Sequence, residues 1–223
     1  MEFVKHWLDM ILHADRYLKL LVGQYQSWTY LILFIIIFCE TGLVVTPILP
    51  GDSLLFAAGT IASGLGVLNI YALIGLLVLA AFAGDNSNYF IGQFIGPKVF
   101  NMNLRFVRKD YLKRTHAFYE KHGGKTIIIA RFIPIIRTFA PFVAGVGTMT
   151  YSRFILFSIA GNLLWINIFL WAGYLLGTNA FIQAHFTLVT LLIIVVSLIP
   201  AVGAAIKGKI ASKNQSFSKN GDR

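Results

Sequence analysis

The sequence predicts an all-α, multi-pass membrane protein: one helical bundle in which a broken apolar segment followed by a long helix occurs twice, in opposite orientation. Three observations carry this. Hydrophobic residues make up 57% of the 223-residue chain and charged residues only 13%, where a soluble domain carries about 25% charged residues. Positive charge is segregated: no Lys or Arg lies between Lys19 and Lys98, or between Arg153 and Lys207. Two apolar stretches are interrupted by Pro, Gly and ionisable residues, FCETGLVVTPILPGDSLLFAAG around Glu40 and Asp52, and ARFIPIIRTFAPFVAGVG around Arg131 and Arg137.

The elements follow in chain order. Residues 1–22 place Phe3, Trp7, Met10, Ile11, Ala14, Leu18 and Leu21 on one helical stripe, an amphipathic helix too polar to span and suited to the membrane interface. It carries Glu2, Asp9 and Asp15 and lacks the basic start and unbroken apolar run of a cleavable signal. Residues 29–66 are apolar but broken by Pro47, Pro50 and Gly51. The part before Pro47 just reaches the ~20 residues that cross a ~30 Å core, but Glu40 lies in it and only about 15 residues follow the break. Two half-helices that dip in and return fit better than two full spans, provided the irregular backbone is buried in protein. Residues 69–96 are a full span that contains Asp85 and ends in Gly92-x-x-x-Gly96, with Pro97 as its stop.

Residues 98–125 are polar and basic, with a short helix capped by Asp110 and ended at Gly123-Gly124. Residues 126–148 repeat the broken pattern, with Pro134, Pro141, Gly145 and Gly147. Residues 154–177 form a second full span, closing on Gly173-x-x-x-Gly177, and 186–206 a last one; 207–223 are a polar tail. The two G-x-x-x-G pairs, about 81 residues apart, fit close helix approach. Residues 1–206 thus read as one membrane domain.

The net charge of +10 sits in the 98–125 loop and the tail, which the positive-inside rule makes cytoplasmic. The 69–96 helix then runs inward, the first broken segment opens to the outside and the second to the inside. That inverted relation is common in secondary transporters. If 29–48 spans fully, the N-terminus moves inside and the symmetry weakens. Basic residues here are not interleaved with exposed aromatics on a soluble face, which excludes nucleic acid.

Charges at membrane depth persist when they face a cavity, a partner or a substrate. Glu40 and Asp52 suit proton or cation coupling, because a carboxylate in low dielectric takes up a proton readily. Arg131 and Arg137 stay charged and offer a planar fork matched to phosphate. Six positions apart around Pro134, they converge on one anion only if the helix breaks. The bland alternative is that they neutralise the acids. Pro47, Pro50, Gly51, Pro134 and Pro141 are the expected hinges. Asp85 and Asn88, in GDNSNYFIG, suggest a supporting polar network, and Trp165 and Trp171 read as packing. GGKT at 123–126 lacks the Gly-rich start of a P-loop, since Tyr119 stands where Gly is needed. His116 and His122 are six apart with no cysteine nearby, which argues against a metal, and Cys39 is the only cysteine. No hydrolase or zincin motif occurs. The sequence points to neither an enzyme nor a cofactor.

The stretches FCETGLVVTPILPGDSLLFAAG, GDNSNYFIG, FYEKHGGKTIIIARFIPIIRTFAPFVAG and GYLLG resemble the DedA family of bacterial inner-membrane proteins, close to its founding member. That family lies in the superfamily carrying the VTT, or SNARE-associated, domain. The resemblance covers about residues 1–206. It implies that the paired acids and arginines essential in the family match Glu40, Asp52, Arg131 and Arg137. It also implies links to the proton motive force and to recycling of the carrier lipid undecaprenyl phosphate. The expected function is therefore a flippase that moves an anionic lipid phosphate, most simply undecaprenyl phosphate, from outer to inner leaflet. In it the arginines hold the phosphate and the acids take up protons. The alternative is a proton-coupled antiporter of a monovalent cation or cationic drug, and a scaffold is a third class. The expected partners are a membrane lipid and protons, with a homo-oligomer left open.

Overall fold

The computed structural model describes residues 14–25, 27–42, 51–65, 68–101, 124–147, 149–193 and 195–196. The described residues are helical, with no strand among them. We number the helices α1 (Ala14–Tyr25), α2 (Trp28–Gly42), α3 (Gly51–Leu65), α4 (Ile70–Asn101), α5 (124–130), α6 (Pro134–Val146), α7 (Tyr151–Leu176), α8 (Ala180–Ala184) and α9 (186–193).

Two of these, over Ile70–Gly96 and Tyr151–Leu176, are long and apolar enough to cross a membrane. At 1.5 Å per residue the 32-residue α4 is about 48 Å long, well beyond a ~30 Å hydrocarbon core. Asn69 starts it, its side-chain oxygen accepting from the Tyr71 and Ala72 N–H groups at 2.9 and 3.2 Å, which satisfies donors that a helix start leaves orphaned. Pro97 does not stop this helix, contrary to the expectation from sequence: α4 runs on to Asn101. A proline forfeits one backbone bond, here the one to the Gln93 carbonyl, and that loss alone does not end the helix. The short helix expected from Asp110 to Gly123 lies outside the described residues, and Gly124 is itself helical. By contrast α2 and α3, with 15 residues each, are about 22 Å long, and neither reaches across a bilayer alone.

The packing is crosswise. Within the bundle α2 and α6 lie on α4, α3 lies on α7, α4 and α7 touch, and α1 packs on α3 and α2. Leu18 and Val22 of α1 join the core of Leu33, Ile37, Leu55, Leu73, Leu77 and Leu170, so the amphipathic helix docks on protein through these residues. Between helices that share no water to expel, close backbone approach takes over from the hydrophobic effect, and glycines make it. A side chain at Gly173 on α7 would strike the backbone of Phe56 on α3, and one at Gly92 on α4 would strike that of Phe142 on α6. Gly59 on α3 meets Leu170 and Tyr174, while Gly145 on α6 meets Tyr89 and Gln93. Equivalent residues are separated by 86 positions in the broken segments (Phe56 and Phe142, Gly59 and Gly145) and by 81 in the long helices (Gly92 and Gly173, Tyr89 and Leu170, Gln93 and Tyr174).

The outside is apolar. Leu31, Ile35, Leu79, Phe94, Leu156 and Leu175 are exposed, a surface that suits lipid rather than water.

Candidate functional site

Five charged side chains are buried among the described residues: Glu40, Asp52, Asp85, Arg131 and Arg137, each at most 6% exposed. They are brought together where the broken segments meet the long helices, in two linked groups.

Arg137 is the centre of the first. It lies in the first turn of α6, which begins at Pro134 after Ile133 in an extended conformation (φ −121°, ψ 103°) and has no side-chain cap. A cation is unfavourable there, because a helix N-terminus carries partial positive charge. Two carboxylates compensate. Arg137 Nη1 donates to Asp52 Oδ1 at 2.6 Å, and Nη2 pairs with Glu40 Oε1. Asp52 occupies the first turn of α3, where the helix dipole favours an anion. Glu40 comes from the last turn of α2 and also accepts the Gly51 N–H at 3.2 Å. A side chain at Gly51 would collide with the Glu40 carboxylate, so glycine is what admits this contact. Trp165 of α7 closes the group: its Nε1–H donates to Asp52 Oδ1 at 2.8 Å, and the Arg137 guanidinium lies 4.4 Å from its ring centroid, a cation–π contact.

Arg131 is the centre of the second group. It sits in the turn between α5 and α6 and pairs with Asp85 Oδ2. The same oxygen accepts from Ser158 Oγ at 2.5 Å and Asn162 Nδ2 at 3.1 Å. Asn88 ties the halves together, its side-chain amide donating to the carbonyls of Thr41 on α2 at 3.3 Å and Thr138 on α6 at 2.6 Å.

The sequence expectations therefore map as follows. Glu40, Asp52 and Arg137 converge. Arg131 faces Asp85 rather than the first two acids. Asn88 belongs to the polar network. Pro134 marks a real break, but Pro141 does not: α6 runs through it, since its missing N–H costs only the bond to the Arg137 carbonyl. Pro47 and Pro50 lie outside the described residues. Trp165 does more than pack, and it is a site residue that sequence reasoning missed, as are Ser158 and Asn162. All three share one face of α7 at i, i+4 and i+7, and two polar residues on one face of an apolar span were the available signal.

Chemically, the site keeps capacity in reserve. Glu40 Oε2, Asp85 Oδ1, Arg131 Nη1 and Arg137 Nε have no hydrogen-bond partner among the described residues. Buried groups of this kind are costly unless something satisfies them. The carboxylates can accept a proton, and the guanidiniums can exchange a carboxylate for another oxyanion.

A VTT domain model matches residues 49–175. Protein DedA of Escherichia coli K12 is 51% identical over 214 residues, covering 95% of this chain and 98% of the relative. An uncharacterised membrane protein of Mycobacterium tuberculosis is 45% identical over 184 residues, 82% of this chain and 81% of the relative. Inner membrane protein YqjA of E. coli K12 is 34% identical over 178 residues, 79% of this chain and 80% of the relative. No solved structure matches. The chain belongs to the VTT-domain family of DedA-related proteins, and its described residues form a helical bundle with two helices long and apolar enough to cross a membrane.

Proposed function

We propose that this protein is a flippase for an anionic lipid phosphate, with undecaprenyl phosphate returning from the outer to the inner leaflet as the first substrate to test. One observation carries the reading: Arg137, a phosphate-matched fork at an uncapped helix start, is occupied by two carboxylates. Phosphate favours the same place, because helix N-termini and arginine both bind oxyanions. Protonation of Glu40 and Asp52 neutralises the occupants and frees the guanidinium. A phosphate then replaces them, while its hydrocarbon chain stays in lipid along the apolar exterior. The driving ion in this account is the proton.

The framework is a pair of inverted repeats within one domain, residues 1–206. In each, a re-entrant hairpin (29–66, 126–148) is followed by a transmembrane helix, and the basic 98–125 segment and the tail are cytoplasmic. The crosswise glycine contacts and the shortness of α2 and α3 support this. The broken segments serve as the two gates.

The reading is tested by head-group flipping of phosphatase-accessible undecaprenyl phosphate in liposomes holding the purified protein. Fast flipping by wild type and its loss in Arg137→Ala and Arg137→Lys are expected, because lysine keeps the charge but not the fork. A transporter that retains full activity with lysine uses Arg137 as a mere charge, contrary to the proposal. Absence of flipping by folded protein, with proton-linked cation flux in the same vesicles, establishes the antiporter reading instead.

A further inference from the structure

The two arginines are held by different acids, and the count of charges is uneven. Among the described residues, three carboxylates (Glu40, Asp52, Asp85) face two guanidiniums (Arg131, Arg137) in one buried cluster. Neutralising Glu40 and Asp52 frees Arg137 but leaves Arg131 on Asp85. Arg131 nevertheless has Nη1 without a hydrogen-bond partner, and Asp85 has Oδ1 in the same condition, each at most 2% exposed. A structural ion pair is expected to spend these atoms on each other in the bidentate fork that arginine and carboxylate readily make. Here Arg131 Nη2 pairs with Asp85 Oδ2, an oxygen already shared with Ser158 and Asn162.

From this geometry we infer that Asp85 is a third functional carboxylate, a separate latch on Arg131 that must be neutralised before Arg131 can join Arg137 on the phosphate. The inference rests on the flippase reading and deepens it: release of the phosphate site takes two events, one at Glu40–Asp52 and one at Asp85. Among the described residues, the charged group paired with Asp85 is Arg131, and the other buried charges are Arg137, Glu40 and Asp52. From α7 it receives the neutral donors Ser158 and Asn162. Those two donors hold the Asp85 carboxylate in place against Arg131 and so keep the latch shut. Asp85 acts through Arg131, and is a positioning residue.

The test uses the full-length protein in phosphatidylcholine nanodiscs, with fluorescent phosphatidic acid as probe. Binding is measured from mildly acid to alkaline buffer. Wild type should bind better in acid. Asp85→Asn, with its latch permanently neutral, should bind roughly tenfold tighter than wild type in alkaline buffer, the equivalent of one modest ionic contact. In acid it should equal wild type. The gain should vanish in Asp85→Asn/Arg131→Ala. Ser158→Ala, a milder change that covers the case of a misfolded Asp85→Asn, should move the midpoint of binding to higher pH. Inorganic phosphate as competitor separates a lipid-borne from a free phosphate ester, and either supports the inference if its affinity depends on Asp85 in the same way. Unchanged pH dependence in both Asp85→Asn and Ser158→Ala would overturn the latch while leaving the flippase reading intact. If wild type binds neither phosphatidic acid nor undecaprenyl phosphate in any buffer, the flippase reading fails and the latch with it.

Discussion

The two broken segments are built alike and charged oppositely. Their restarting halves, α3 and α6, dock on α7 and α4 respectively through matching glycine contacts, Phe56 on Gly173 and Phe142 on Gly92. At the start of α3 stands Asp52, where a helix N-terminus welcomes an anion; at the start of α6 stands Arg137, where it opposes a cation. Packing repeats, chemistry does not. The acidic segment supplies counter-ions that keep the basic one from standing open, and the basic one is the half able to take an oxyanion in their place.

The hardest way to break this comparison is to remove the shared charge. Arg137→Ala strands Glu40 and Asp52 in the interior, and thermal unfolding in detergent should show a loss of about 3–5 kcal/mol. A loss below that of a surface mutation would mean that the acids are not held by Arg137. Trp165→Phe is gentler. It keeps a ring beside Arg137 but deletes the N–H to Asp52, so it should cost about 1.5–3 kcal/mol, as expected for a hydrogen bond to a charged group.

Two glycine substitutions sharpen the packing half of the comparison. Gly173→Ala and Gly92→Ala each drive a methyl group into a neighbouring backbone, and each should destabilise by about 1–3 kcal/mol through overpacking. The same unfolding assay should give the two nearly equal values. A clear inequality would show that the two docking contacts differ in packing as well as in charge. Gly75→Ala is the smallest change: nothing lies within 4 Å of its Cβ. It should be neutral or stabilising by up to about 1 kcal/mol, from helix propensity alone.

Much of this was legible in the sequence. Glu40, Asp52, Arg131 and Arg137 announce themselves because charges in apolar runs are rare, and Pro134 marks its turn because proline fits a first helical turn. The partner choice was not legible. Whether Arg131 meets Glu40 or Asp85 depends on how the 131–133 turn is placed against α4 and α7, and no local pattern encodes that. Trp165 was hidden for a related reason. An aromatic residue in an apolar helix reads as packing until the helix facing it is known to begin with an acid. Pro97 and Pro141 misled because proline penalises a helix by one bond at a known place, and neighbouring turns in a packed bundle can absorb the loss.

The central claim is that the acids hold the arginines closed and that protons release them. Head-group flipping in proteoliposomes, compared between wild type and Glu40→Gln in neutral and mildly acid buffer, tests it most directly. The account predicts wild-type flux that rises on acidification and a Glu40→Gln flux that has lost most of that response. A wild-type flux independent of pH, with Glu40→Gln as active as wild type, would contradict it.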